Sequence, residues 1–251
     1  MAYAHVQSFI SGAQSGLTAV ATLAAVTAGN LLVLGTRQSS ENRSIVSVSD
    51  GVNTWQDTGH GRVSGSGSGV YLYYAMNVAG GTTTVTVTWD TSGVTNAFLV
   101  LAEYSGILTS GAVDVADGNA TTGASNAIPS AGTDTVAQAG ELLISWFHSD
   151  TASRPCATPT CSVGGVTFND RQSSTGASYG VLFSDARLTA TTAFSISQPV
   201  TGGNSVIDGL LTTFEESAGA AVSPSTGLPD TLAERSGQSP YAQVLISGGL
   251  F

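Results

Sequence analysis

Between Thr84 and Trp89 a threonine and an apolar residue alternate without a break, Thr84, Thr86 and Thr88 against Val85, Val87 and Trp89. Successive side chains point to opposite faces only in extended backbone, so the pattern predicts a strand with one face buried and one in water. On either side, Val70 to Met76 and Phe98 to Ala102 are apolar or aromatic at consecutive positions. A strand carries such a run when both of its faces are covered. Gly80-Gly81 and Asp90-Thr91-Ser92-Gly93 supply the turns. Val70 to Gly106 therefore reads as a three-strand meander inside a sandwich.

Composition agrees. Of 251 residues 31 are glycine and only 10% are charged, whereas long helices are normally rich in Lys, Glu, Arg and Gln. The basic residues are all arginines (Arg37, Arg43, Arg62, Arg154, Arg171, Arg187 and Arg235), and they are scattered. With a net charge of −10 the chain has no clustered cations for a phosphate backbone, which argues against nucleic acid as a partner. Anionic membrane surfaces are disfavoured for the same reason. The acidity keeps the surface soluble and leaves room for a cation-rich partner.

Further strands are expected at His5 to Ile10, Leu17 to Val26, Leu31 to Gly35, Ser44 to Ser49 and Val52 to Gln56. Arg62 to Gly69 is a Ser/Gly loop, Ala112 to Ala116 a short strand, and Asp117 to Thr133 a long polar connection. The pattern then starts again. Ala139-Gly140-Glu141 and Leu142 to Phe147 match Ala28-Gly29-Asn30 and Leu31 to Gly35. Gly165 to Asp170 echoes Gly51 to Asp57, and Tyr179 to Phe183, Thr192 to Ser197 and Val206 to Phe214 replay the meander, with Phe214 in the place of Tyr104. A constant offset of ~110 residues is too long for a solenoid and marks a duplicated half. The expected fold is an all-β, jelly-roll-like antiparallel β-sandwich over residues 1–215, built from related halves at 28–106 and 139–214. One sandwich formed by both halves is preferred over two separate ones, because a five-stranded half leaves apolar faces uncovered.

Residues 216–251 change character. Pro224, Pro229 and Pro240 with Gly219, Gly227 and Gly237 forbid a long regular element. The stretch still ends in an apolar group of Tyr241, Val244, Leu245, Ile246, Leu250 and Phe251. It is expected to be a C-terminal arm that either grips a neighbouring subunit by strand addition or folds back on its own sandwich.

No secretory leader is expected, since Met1 to Gly16 has no Lys or Arg and no unbroken apolar run. Leu17 to Val26 is too short to span a bilayer, so neither a membrane nor export is expected and synthesis is placed in a cytoplasm.

No constellation announces a chemistry. Cys156 and Cys161 in a Pro-containing loop are either a small loop-closing disulfide or two free thiols. A zinc site would need a second Cys/His pair, so no metal and no cofactor is expected. His5, His60 and His148 stand far apart and none adjoins a nucleophile motif. Glu103 closes an apolar strand, whereas a glycosidase needs a second carboxylate facing it. Asp57 and Asp170 occupy equivalent places in the halves and read as turn acceptors. Asp114 to Asn119 does not fit an EF-hand loop. Trp89 and Trp146 sit at core-facing positions; Trp55, Tyr71 and Tyr73 are the better candidates for an exposed platform that stacks on sugars.

Ala28-Gly29-Asn30-Leu31-Leu32-Val33, Tyr74-Ala75-Met76-Asn77-Val78-Ala79-Gly80-Gly81, Thr84-Val85-Thr86-Val87-Thr88 and Glu103-Tyr104-Ser105-Gly106 together form a pattern. It resembles a family of jelly-roll-like β-sandwich domains found in bacterial surface proteins and phage virion proteins. The resemblance covers about residues 17–215 and rests on structural motifs, so it implies a fold before it implies an activity. Exported members of that family carry signal peptides. The resemblance therefore implies a non-enzymatic virion protein, a capsid decoration, minor tail or fibre component, that forms a homo-oligomer (a trimer being one arrangement) and docks on other virion proteins. The alternatives are a carbohydrate-binding adhesion module, which gives a surface glycan as partner and is compatible with a place in the virion or at a cell surface, and a glycoside or ester hydrolase domain.

Overall fold

The computed structural model describes residues 2–39, 43–60, 67–129, 133–150, 154–176 and 179–217. Met1–Gly219 is one compact unit and Ala220–Phe251 a second. The second unit, with Tyr241, Val244, Leu245, Ile246, Leu250 and Phe251, lies outside the described residues.

The described chain is all-β. In order, the strands are β1 (Ala4–Ile10), β2 (Gln14–Gly16), β3 (Thr18–Val26), β4 (Leu31–Gln38), β5 (Ile45–Ser49), β6 (Gln56–Asp57), β7 (Gly69–Ala75), β8 (Gly81–Trp89), β9 (Val94–Ser105), β10 (Val113–Gly123), β11 (Ser125–Ile128), β12 (Asp134–Thr135), β13 (Glu141–Ser149), β14 (Thr160–Cys161), β15 (Asn169–Gly176), β16 (Tyr179–Leu188), β17 (Ala193–Phe194), β18 (Ile196–Pro199) and β19 (Ser205–Phe214). They form an inner sheet β1-β9-β4-β7-β6 covered by an outer sheet β3-β8-β5, and a second inner sheet β10-β19-β13-β16-β15 covered by β11-β18-β14 and the pair β12-β17.

Period-2 side-chain placement explains the layering. On β4, Leu32 and Leu34 join Val85, Val87 and Trp89 of β8 in one core, while Leu31 and Val33 point the other way. There they meet Leu142, Ile144 and Trp146 of β13. The opposite face of β13, with Leu143 and Phe147, packs on Phe194 and Ile196. The fold is thus two sandwiches joined through their inner sheets, four layers around three apolar cores. The second apolar face of each five-stranded half is covered by the other half. This is why both central strands read as continuous apolar runs.

The halves meet about a pseudo-two-fold axis along β4 and β13. Ser8 on β1 accepts from Gln172 on β15, Tyr104 on β9 reaches Asp185 on β16, and Tyr74 on β7 packs edge-on against Phe214 on β19. Tyr104 and Phe214 are repeat equivalents, and so are Tyr74 and Asp185. The two contacts are therefore one interaction made twice, the signature of an isologous interface. The smaller ties match as well: Tyr74 donates to Gln56 at 2.7 Å, and Asn169, the equivalent of Gln56, donates to Asp185 at 3.1 Å. The first strand of each half also carries a bulge at the corresponding place, between His5 and Gln7 and between Val113 and Ala116.

Four expectations are corrected. The single sandwich expected from both halves is instead two sandwiches packed together, because each inner sheet is apolar on both faces. Asp117 to Thr133 is largely strand: Asp117 to Gly123 continue β10 against β19, and β11 follows. Its Asp, Asn and Thr residues mask it because β10 is a sheet edge, half-buried, with Asn119 and Asn126 supplying side-chain hydrogen bonds. Val52 to Gln56 is mostly a turn, closed by the Asp50 carboxylate accepting from the Val52 and Asn53 amides, and only Gln56–Asp57 pair as strand. The sandwich also runs past residue 215. Glu216 bridges to Ile107 and takes a bidentate ion pair from Arg187 at 2.6 and 2.7 Å.

Candidate functional site

In the first half the inner sheet is wider than the three-stranded sheet β3-β8-β5 that covers it. At the β6–β7 margin of the first half this leaves a cleft of about 350 Å³ lined by Ile45, Val46, Ser47, Val48, Trp55, Asp57 and Tyr73. Local geometry builds it. A bulge in β5 between Ile45 and Ser47 turns Val46 outward, 67% exposed. The Asp50 turn carries Trp55 back over the sheet edge, and β6 sets Asp57 directly opposite Tyr73. Asp57 Oδ1 accepts the Gly59 amide at 2.7 Å, which fixes the carboxylate. Burial, reinforced by the Asp57 charge, pushes the Tyr73 phenol up to about 12, so it stays protonated and able to donate.

Of the platform residues read from sequence, Trp55 and Tyr73 come together in this cleft. Tyr71 does not line it. It is only 7% exposed, stacked on Tyr73 with ring centroids 6.5 Å apart, and its hydroxyl is spent on the Arg43 carbonyl at 2.7 Å. Residues 71 and 73 share one face, but the chain at Arg43, just before β5, covers the first, whereas the second lies in the cleft beside β5. Trp89 and Trp146 are buried, as their strand positions require.

Sequence reasoning missed Ile45, Val46, Ser47 and Val48. The only signal was the apolar Ile45-Val46 pair interrupting a Ser-alternating run, and nothing local shows that β5 ends beside Trp55. It also read Asp57 as a turn acceptor alone; that role is real, and the cleft is an addition to it.

The same place in the second half is filled. Phe168 stands for Trp55 and is buried in the core, Leu182 and Ser184 stand for Tyr71 and Tyr73, and Asp170 is held by Ser184 at 2.7 Å and Thr158 at 2.5 Å.

The buried polar residues do structural work. Asp185 collects Tyr104 Oη at 2.9 Å, Arg171 Nε at 2.6 Å and Asn169. Glu103, the carboxylate weighed for catalysis, accepts Gln7 at 2.6 Å, the Thr27 amide at 2.8 Å and Asn30 at 2.6 Å. Cys156 and Cys161 are free thiols, the Cys156 thiol pushed up to about 12 by burial, which leaves it unreactive at neutral pH. Among the described residues no three His, Cys, Asp or Glu side chains converge as a metal-ligand set, and no helix is long and apolar enough to cross a membrane.

The chain matches no protein-family model, no curated protein and no solved structure.

Proposed function

We propose that this protein is a non-catalytic structural component of a phage particle, a capsid decoration, minor tail or fibre protein, that works by self-association and docking. The observation that supports this is the β1 edge. Among the described residues β1 ends the first inner sheet and pairs on one side only, with β9. It carries Phe9, 42% exposed, and Val6, 45% exposed, at the margin that the outer sheet leaves open. A one-sided strand with exposed apolar residues is a template for another strand, and proteins that remain monomeric blunt such edges with charge or proline. β1 has neither. The edge on the same side of the second half, β15, is polar throughout (Asn169–Gly176). The acidic, lysine-free composition and the resemblance to virion sandwich domains give the reading its biological setting.

Light scattering on the full chain, on a chain ending at Gly219 and on Phe9→Lys tests it. The full chain is expected to be oligomeric and Phe9→Lys to be of lower mass with an unchanged melting temperature; the shortened chain shows whether Ala220–Phe251 contributes. A full chain that stays monomeric at all concentrations refutes the reading, as does absence of the chain from purified particles by mass spectrometry.

A further inference from the structure

We propose that the cleft at the β6–β7 margin binds a neutral carbohydrate, with Trp55 and Tyr73 seating the apolar face of a pyranose ring and Asp57 and Ser47 taking its hydroxyls. The site is separate from the β1 edge, at the opposite end of the inner sheet, and it does not depend on self-association.

Four observations carry the proposal. First, at about 350 Å³ the cleft is in the lower part of the small-molecule range, room for one or two sugar rings and not for a long apolar chain. Second, its chemistry is mixed in the way a sugar is mixed. Ring faces and the aliphatic Ile45, Val46 and Val48 meet C–H patches, while an acceptor-only carboxylate and the donor/acceptor hydroxyls of Ser47 and Tyr73 meet O–H groups. Third, among the described residues the lining has a carboxylate and no cation, which disfavours phosphate, sulfate and uronate groups. Fourth, the repeat provides an internal control. Both halves satisfy the same scaffold, yet the second closes this place with buried Phe168, Leu182 and Ser184. The fold therefore does not require a partly exposed tryptophan beside a valine that is 67% exposed. An indole held at the surface next to apolar neighbours marks a surface that something covers.

The test is a glycan array carrying neutral and acidic bacterial surface oligosaccharides, followed by titration calorimetry of the full chain with the best-bound neutral sugar, with galacturonate and with choline chloride. The proposal expects binding to neutral pyranosides and none to galacturonate. It also expects at least a tenfold loss of affinity in Trp55→Ala and Asp57→Asn. Trp55 packs partly on the core, so Val46→Lys, an exposed change at the rim, provides a variant that leaves folding intact; it is expected to block binding with the melting temperature unmoved. No array signal above that of Val46→Lys overturns the proposal. So does sugar binding that survives Asp57→Asn and Val46→Lys, or binding of choline in place of sugars, which would make the aromatics an ammonium cage.

Discussion

Trp146 Nε1 donates to the Thr36 carbonyl at 3.0 Å, and its indole lies flat over Gly35, where an added Cβ would stand 3.0 Å from the ring. Gly35 and Trp146 are equivalent positions of the two halves, meeting on the pseudo-dyad. In a symmetric pair each would face its own copy, and two indoles cannot share that space. Here the largest side chain and the absent one are complementary, which makes the interface between halves specific to the fused chain.

Gly35→Ala is therefore expected to destabilise by about 1–3 kcal/mol through overpacking, and Trp146→Ala by about 3–5 kcal/mol through the cavity it leaves. Urea unfolding of the single variants and of Gly35→Ala/Trp146→Phe checks this. The double variant should recover part of the Gly35→Ala cost, because the smaller ring makes room for the methyl; strict additivity would show that the two residues do not couple.

The Tyr104–Asp185–Arg171 cluster is the second tie between halves. Arg171 donates from Nε at 2.6 Å and Nη2 at 3.1 Å to an Asp185 carboxylate that is fully buried. Removing the cation leaves that charge without its main partner. Arg171→Ala is expected to cost about 3 kcal/mol and Asp185→Asn/Arg171→Ala less than the sum of the two single changes, measured as a double-mutant cycle.

Glu141 sets an alkaline limit on stability. It is buried at the start of β13, and burial, then the neighbouring Asp114 working against a Thr213 hydrogen bond, raises its carboxyl to about 7. The folded state thus holds a proton that the unfolded chain releases near ~4.3. The stabilisation is complete below that value and is lost as pH rises through about 7. Glu141→Gln, which keeps the shape and removes the charge, is expected to stabilise by about 1–2 kcal/mol at pH 8 and to change little at pH 4, read from urea midpoints across pH. Equal effects at both values would rule out the titration.

His148 sets the acid limit. Its Nδ1 is 3.3 Å from Asp208 inside the interface, and burial, with the Arg37 charge second, holds its pKa well below the usual histidine range. The folded protein keeps it neutral, while the unfolded chain protonates near ~6.5. Its contribution is present above that pH and is lost as pH falls below it. His148→Gln should flatten the fall in melting temperature between pH 6.5 and 5. An unchanged slope would assign the acid limb to other groups, His5 first, whose pKa is also lowered by burial.

Much of the fold was legible because strand formation is a local, period-2 property. Thr84 to Trp89 alternate and form β8, and the runs around Leu31, Tyr71 and Leu99 form central strands covered on both faces. The repeat was legible too, since corresponding residues keep corresponding places. Polar edge strands were not: Asp117 to Gly123 satisfy their backbone through β19 and carry no apolar stripe to betray them. Of the cleft, Trp55 and Tyr73 were legible as aromatics outside the core pattern, while Tyr71 was misplaced because adjacent same-face positions look identical until the width of the covering sheet is known.

The amino-acid order by itself determined that the chain makes strands, where most of them lie, and that one half restates the other, because alternation and turn chemistry act over a few residues. Only the tertiary structure decided that the halves stack with their strand orders reversed, that Trp146 fills the space Gly35 leaves, and that one margin opens into a cleft while its counterpart is closed. Those outcomes depend on which apolar faces meet and how far one sheet overhangs another. The contact of Trp146 with Thr36 joins residues more than a hundred positions apart, and no local pattern encodes it.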